Sequence, residues 1–416
     1  MWRRWRNRIL LFAAVLGPGF ITANVDNDSG GILTYSQAGA QFGYNLLWMM
    51  IPITIALTVV QEMNARMGMV TGKGLSDLIR EEFGLRLTFV LMLVLVVVNF
   101  TNVVTEFIGI AGSLHLFHVT KFISVPLCAA LVWAMVVKGS YKSTEKIFII
   151  ASLVYITYIF AGVLSQPSWS QALRATIRPP EESAWRDKAY VYMAIGMVGT
   201  TIAPWMQFYL QSSIVEKGVR SQKFFAMRLD VTVGSLFQDL VAWFIVVACA
   251  ATLYVHGMGA IAVAADAAEA MRPLAGDYAF ILFAFGLFNA SLFAASILPI
   301  STAYTVCEGM GFESGVDKSF REAPFFYWLY TLLIAGGALA VLVLPDAQLI
   351  NFAILSQVLN GVLLPVIIIL MLLLINRKDL MGEHKNSRLW NIVAWSTSII
   401  VIVMTAIMLW GMIPGR

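Results

Sequence analysis

The feature that most constrains this chain is the number of its long apolar runs. A bilayer core is spanned by about 20 predominantly apolar residues in a helix. Segments of that kind fall at roughly 9–41, 43–65, 88–114, 122–138, 146–165, 189–215, 231–255, 277–306, 323–345, 350–375 and 390–413. They are too long for barrel strands, and unpaired backbone is forbidden in hydrocarbon, so all eleven are expected as helices. Composition agrees, because 59% of the residues are hydrophobic and 12% are charged. That is about half the charge that a soluble domain carries, which excludes a soluble enzyme, a disordered chain and a nucleic-acid binder. The net charge of +4 is too small to argue for polyanion binding. Cys128, Cys249 and Cys307 are far apart and form neither a disulfide framework nor a zinc pattern. The expectation is an all-α polytopic protein, monomeric, with the lipid bilayer around it and no nucleic-acid partner.

Orientation follows from the basic residues. With Arg3, Arg4, Arg6 and Arg8 in the cytoplasm, 21 of the 28 Lys and Arg residues fall inside and the remainder outside. The N-terminus is therefore expected to be cytoplasmic and the C-terminus extracellular, in the plasma (inner) membrane. The opening WRRWRNR resembles a signal peptide. The apolar run after it passes into Gly17-Pro18-Gly19 and then a carboxylate pair with no small-residue cleavage site, so it is read as a retained helix.

The longest outer loop, 166–188, contains Pro167, Pro179 and Pro180 and divides the chain. Each half opens on a span interrupted near its middle, at Val25–Gly31 and at Gly199–Pro204. Interrupted spans at matching positions point to a transport site built on inverted repeats. The expected organisation is a first five-helix repeat over 1–165, an extracellular linker over 166–188 and a second, inverted repeat over 189–375. Residues 376–416 form a cytoplasmic loop and an eleventh span.

The first interruption reads Ala23-Asn24-Val25-Asp26-Asn27-Asp28-Ser29-Gly30-Gly31. Carboxylates at bilayer depth are expensive and mark function by default. Two of them beside paired glycines suit a cation site, where unwound backbone offers carbonyl oxygens as hard ligands. The alternative, a salt bridge to a membrane lysine or arginine, finds no partner inside any expected span. The second interruption reads Gly199-Thr200-Thr201-Ile202-Ala203-Pro204-Trp205. Alone it is a proline kink; paired with the first, it becomes the other half of a site. Further polar candidates are Asn99, Asn102, Thr105 and Glu106 in the third span and Asp230 and Asp239 in the seventh. Gln357, Asn360 and Gly361 form an i, i+3, i+4 stripe in the tenth. Glu106 and Asp239 either line a pathway or satisfy neighbouring hydroxyls. The stripe faces a cavity or another helix. His115, His118, His256 and His384 all lie at helix ends or in loops, away from the mid-membrane position a proton relay needs.

Several segments together resemble the NRAMP family of divalent-metal transporters. They are Gly17-Pro18-Gly19-Phe20 followed by Asp28, the stretch Phe42-Gly43-Tyr44, the segment Ala65-Arg66-Met67-Gly68 through Gly74-Leu75, and Leu355-Ser356-Gln357-Val358. The resemblance covers the first ten spans and implies a LeuT-like fold. Its departures resemble the NRAMP-related magnesium transporter branch. The family's Asp-Pro-Gly-Asn is here Asp28-Ser29-Gly30-Gly31, and its methionine before proline is Ala203. Trp205 and Gln211 stand where histidines are expected, and Val103 where a partner acid of Glu106 is expected.

The resemblance implies Asp28 as the main metal ligand, with the carbonyls of Val25 and Thr200 and with Gln357 as a further candidate. It implies that Gly31 and Ala203 enlarge the site, and it assigns no role to Asp26. Asn24, Asp26, Thr201, Trp205, Glu106, Asp239 and Asn360 are the pathway candidates. A thioether suits transition metals, whereas oxygen ligands with retained water suit Mg²⁺. The expected function is therefore import of Mg²⁺, and also Mn²⁺, by alternating access without proton coupling and without a cofactor. Three alternatives remain open: a proton-coupled Mn²⁺/Fe²⁺ transporter, a LeuT-type carrier of a small organic substrate, and a membrane enzyme using Asp26-x-Asp28. The last is weak, because no phosphate-binding glycine loop with a lysine accompanies the two acids.

Overall fold

The computed structural model describes residues 17–218, 224–259 and 261–411, so the basic stretch Arg3–Arg8 lies outside the described residues. Every regular element among them is helical. The first span is two half-helices, α1 (Pro18–Val25) and α2 (Ser29–Phe42). Then come α3 (Met50–Thr71), the short α4 (Leu75–Phe83), α5 (Leu85–His115) and α6 (Lys121–Val137). The fifth span is α7 (Tyr141–Val154) with α8 (Ile156–Leu164), and the 166–188 segment holds the short α9 (Trp169–Ile177). The sixth span is again split, into α10 (Lys188–Thr201) and α11 (Pro204–Glu216). The chain continues as α12 (Phe224–Cys249), α13 (Ala264–Met310), α14 (Pro324–Val343), α15 (Asp346–Ile375) and α16 (Arg388–Gly411).

Among the described residues, eight helical stretches are long and apolar enough to cross a membrane, and Lys121–Val137 is a shorter apolar helix. The two split spans accompany them. On α5 the outward residues are themselves apolar: Val90, Leu93 and Val97 are exposed while Leu91, Leu95 and Val98 are buried. An apolar stripe on the outside of a packed bundle is a lipid-facing surface.

Local chemistry sets the breaks. Proline at the first helical position starts both α1 and α11, where its missing N–H costs nothing. Asp28 caps α2, its side chain accepting from the Gly31 N–H at 2.7 Å. The long α13 bends at Gly276, whose φ of 86° suits glycine, so the expected span over 277–306 follows a separate helical segment that is itself partly buried.

The second span departs most from expectation. The apolar run predicts 43–65, but the helix runs from Met50 to Thr71, after a 3₁₀ turn over Leu47–Met49. Gly43, at φ 58°, ends α2. The polar tail of α3 stays helical and buried because its charges are paired inside the bundle. Glu62 and Arg66, one turn apart, meet at 3.0 Å, and Arg228 of α12 reaches Glu62 at 2.8 Å.

Candidate metal-ion site

In an unbroken helix the carbonyl of Thr200 would accept from the N–H four residues on. That residue is Pro204, which has none, so the carbonyl is released by covalent structure. Val25 is released differently. The N–H four residues after it, that of Ser29, turns away and donates to Oε2 of Glu106 on α5 at 3.1 Å. The C-terminal ends of α1 and α10, where helix carbonyls carry partial negative charge, therefore both end at a break. Asp28 stands beside the first of them, 7% exposed, with Oδ1 engaged by Gly31.

The two breaks are tied together by Tyr35 of α2. Thr201 donates to the Met197 carbonyl at 2.7 Å, so the Tyr35 hydroxyl donates to Thr201 Oγ1, also at 2.7 Å. Gly31 permits a close backbone approach, since a Cβ there would lie 2.5 Å from the Asp26 carbonyl oxygen and 3.4 Å from Asp28 Oδ1. The missing side chain thus makes room for backbone at the break. Ala203 caps α11 without a side-chain bond and is buried, as is Trp205, whose carbonyl accepts from Ser301 at 3.0 Å.

A cavity of about 550 Å³ leads to this region. It is lined at one end by Ser29 and Gly109 and at the other by His115, Lys121 and Asp266. Those last residues follow odd-numbered spans, so the cavity opens on the face assigned as outer from the sequence. The opposite end is packed. Asn64 of α3 donates to the Gln207 carbonyl, and Gln211 reaches the Lys73 carbonyl at 2.8 Å. Arg66 clamps the carbonyl of His384 at 2.8 Å and Asn386 Oδ1 at 2.5 Å.

The other sequence candidates are distributed as follows. Asn24 and Asp26 are buried at the break, each with a side-chain oxygen lacking a hydrogen bond. Glu106 is buried with Oε1 free and Oε2 holding Ser29. Asn360 pairs reciprocally with Asn102 of α5, at 3.0 and 3.2 Å, so it joins two helices. The side chain of Gln357 lies outside the described residues. Asp239 is buried on α12 against a separate cavity. Asp230 is away from the break and accepts from the N–H groups of Gly17, Gly19 and Phe20.

Sequence reasoning passed over the buried polar set at the packed end: Gln61, Glu62, Asn64 and Arg66 of α3 and Gln207 of α11. The signal was present as Glu62 and Arg66 one turn apart, just beyond the apolar run. Among the described residues no group of three or more His, Cys, Asp or Glu side chains is placed to hold a metal. The oxygen donors at the first break are the capping carboxylate of Asp28, the released Val25 carbonyl and the unpaired side-chain oxygens of Asn24 and Asp26.

The fold and this arrangement have known counterparts. The structure is similar to the crystal structure of the Eremococcus coleocola manganese transporter in complex with an aromatic bis-isothiourea substituted compound. The TM-score is 0.74 at 21% identity, covering 94% of this chain and 85% of that one. It is also similar to MhsT in complex with L-phenylalanine, with a TM-score of 0.58 at 14% identity, covering 93% of this chain and 98% of that one. These likenesses show the LeuT-like fold. In sequence, the divalent metal cation transporter MntH of Aeromonas hydrophila is 27% identical over 409 residues, 96% of each chain. The family model described as natural resistance-associated macrophage protein-like matches residues 19–411, and the chain belongs to the Nramp family.

Proposed function

We propose that this protein carries divalent metal ions across the membrane through the paired breaks, with Mg²⁺ as principal substrate and Mn²⁺ also accepted. The observation that carries this reading is the donor set: Asp28, the released carbonyls of Val25 and Thr200, and alanine in place of a thioether at position 203. Hard oxygen ligands few in number suit an ion that keeps several of its waters. Ca²⁺, which takes six to eight oxygens at longer distance, is a poor substrate for such a site. The relatives named as divalent metal cation or manganese transporters support Mn²⁺ as the shared substrate.

Movement is by alternating access of two inverted repeats, 1–165 and 189–375. The N-terminus is cytoplasmic, the C-terminus extracellular, and the chain acts as a monomer in the plasma membrane. Transport proceeds without protons. Trp205 and Gln211 have no group that exchanges a proton near neutral pH, and Val103 leaves Glu106 without a partner acid three residues away. A dication crossing 100 mV gains roughly 4.6 kcal/mol, about a thousandfold accumulation. That is sufficient for an abundant ion.

The test is Mn²⁺ uptake into proteoliposomes with Mg²⁺ and Ca²⁺ as competitors and an internal pH dye. The expected result is competition by Mg²⁺, little by Ca²⁺, and no metal-dependent acidification. Uptake that Mg²⁺ leaves untouched, together with acidification above that of empty liposomes, favours the second reading. That reading is proton-coupled Mn²⁺ transport, and the relatives' names support its metal.

A further inference from the structure

The packed inner end is held by two seams of different character. Along the first, α3, α11 and α12 share an apolar cluster of their own, formed by Ala65, Met69, Leu210, Ile214, Met227 and Val231. A Cβ on Gly68 of α3 would stand 3.0 Å from the Gln211 side chain of α11, so these two helices are in close contact. Asn64 and Gln211 add hydrogen bonds across that contact, and Asp230 of α12 holds the start of α1. The inner halves of α1, α3, α11 and α12 therefore form one packed unit.

The second seam joins this unit to the loop between α15 and α16, and it is polar. Arg66, with a side chain 4% exposed, donates to the carbonyls of His384 at 2.8 Å and Lys385 at 3.3 Å and to Asn386 Oδ1 at 2.5 Å. Asn386 Nδ2 lies 3.1 Å from Met63 Sδ of α3. Arg228 of α12, paired with Glu62, stands 5.7 Å from the ring centre of Trp390 on α16. On its other side the loop is fixed to its own helices. Asn386 donates to Asn391 at 2.9 Å, and Asn391 pairs reciprocally with Asn376 at the end of α15. Thr405 of α16 also donates to the Gly361 carbonyl of α15 at 2.9 Å. The loop, α15 and α16 thus form a second unit.

The two seams respond differently to water. An apolar cluster that separates gains nothing from hydration. A guanidinium, two carbonyls and an amide can exchange each other for water at little net cost, and residues 382–385 and 387 are already exposed. Arg66 freed from the loop keeps Glu62 at 3.0 Å, so its release strands no buried charge. The polar seam is therefore the one suited to part. We propose that the loop over 382–387 is a latch: gripped by Arg66, it keeps the inner end shut while the cavity at Ser29 is open, and it lets go of α3 when the inner side opens. This rests on the alternating-access reading above. It gives the eleventh span, which lies outside the two repeats, a task in the cycle, because that span carries one side of the latch.

A covalent clasp tests this. Met63→Cys combined with Asn386→Cys places two thiols across the seam of the full-length protein, in which Cys128, Cys249 and Cys307 are buried. In proteoliposomes, bridging the pair with a short disulfide-forming cross-linker is expected to lower Mn²⁺ uptake roughly tenfold or more, and a reductant to restore it. Cross-linked protein that takes up Mn²⁺ as fast as the reduced protein overturns the latch and leaves the transport reading intact. A wild type without Mn²⁺ uptake overturns the transport reading instead. The latch is then decided by maleimide labelling of Met63→Cys with and without Asn386→Ala, and the same measurement decides it should the double variant fail to fold or to cross-link. Loss of one charge-assisted bond to Arg66 is expected to speed labelling about tenfold, and a rate within about twofold of the parent overturns the latch.

Discussion

Asp230→Asn should release the N-terminal end of α1. An α-helix leaves its first N–H groups without intrahelical partners, and α1 has no side-chain cap at Gly17. The capping is done from α12 instead. Asp230 accepts from Gly17 at 2.7 Å, Gly19 at 2.8 Å and Phe20 at 3.1 Å. The helices can come this close because position 234 is glycine, where a Cβ would sit 2.7 Å from the Phe20 Cα. Asparagine keeps one acceptor oxygen and loses the charge. A buried N–H left unpaired costs about 1–3 kcal/mol, and the bonds that remain lose roughly 1 kcal/mol of charge assistance. The expected loss is about 2–4 kcal/mol in the docking of this segment, or roughly 30- to 1,000-fold in its docked-to-undocked ratio. Hydrogen exchange on the full-length protein reads that ratio directly. Amides over 17–22 should exchange faster by about that factor, while those in the middle of α5 and α13 keep wild-type protection. Exchange over 17–22 within about twofold of wild type would refute the argument, since a roughly 0.4 kcal/mol effect is too small for three charge-assisted bonds.

Three further outcomes follow from the same geometry. Asp28→Ala should abolish metal uptake while costing only about 1 kcal/mol of stability, the worth of one helix cap; uptake in proteoliposomes and a thermal melt of the same preparation check both halves. Gly31→Ala should lower stability by about 1–3 kcal/mol, because its Cβ would meet the Asp26 carbonyl oxygen at 2.5 Å, and a melting temperature equal to that of wild type would show that the break yields freely. Glu62→Gln should cost about 3–5 kcal/mol, because it strips the charge partner from a buried Arg66; denaturant unfolding measures it, and Ala substitution of the exposed Glu383 serves as the neutral comparison.

Most of the fold was legible because a membrane reduces the problem to one dimension. Hydrocarbon requires helices and sets their length, so apolar runs located most spans to within a few residues, the second and seventh by about six or seven, and the two interrupted spans announced themselves by composition. The failures lie where tertiary pairing overrode local pattern. The apolar run ending near residue 65 suggested a helix end there. Yet α3 continues to Thr71 because Arg228, more than 160 positions away, completes the pairing of Glu62. Asp230 is only a polar candidate in the sequence, since nothing local shows that its partners are the backbone N–H groups of Gly17, Gly19 and Phe20. The sequence does not separate cavity from helix contact for Asn360 for the same reason, and its partner is Asn102.

The candidate site divides along the same line. Release of the Thr200 carbonyl could be read directly, because it depends only on a proline four residues later, a covalent fact that survives any packing. Release of the Val25 carbonyl could not, because Ser29 has an ordinary N–H that would close the helix if left alone. The extended backbone of Asp28 opens the turn, and Glu106, on another span, takes up the freed N–H. The two breaks therefore differ in kind. The one before Pro204 is fixed by covalent structure, whereas the one at Val25 is completed by packing between α5 and α2. A carrier working by alternating access needs both properties, a fixed ligand that defines the site and a second that is withdrawn when the helices move. If the chain works by alternating access as proposed, the first break is the one whose carbonyl can be withdrawn, and Glu106 holds its geometry through the Ser29 N–H.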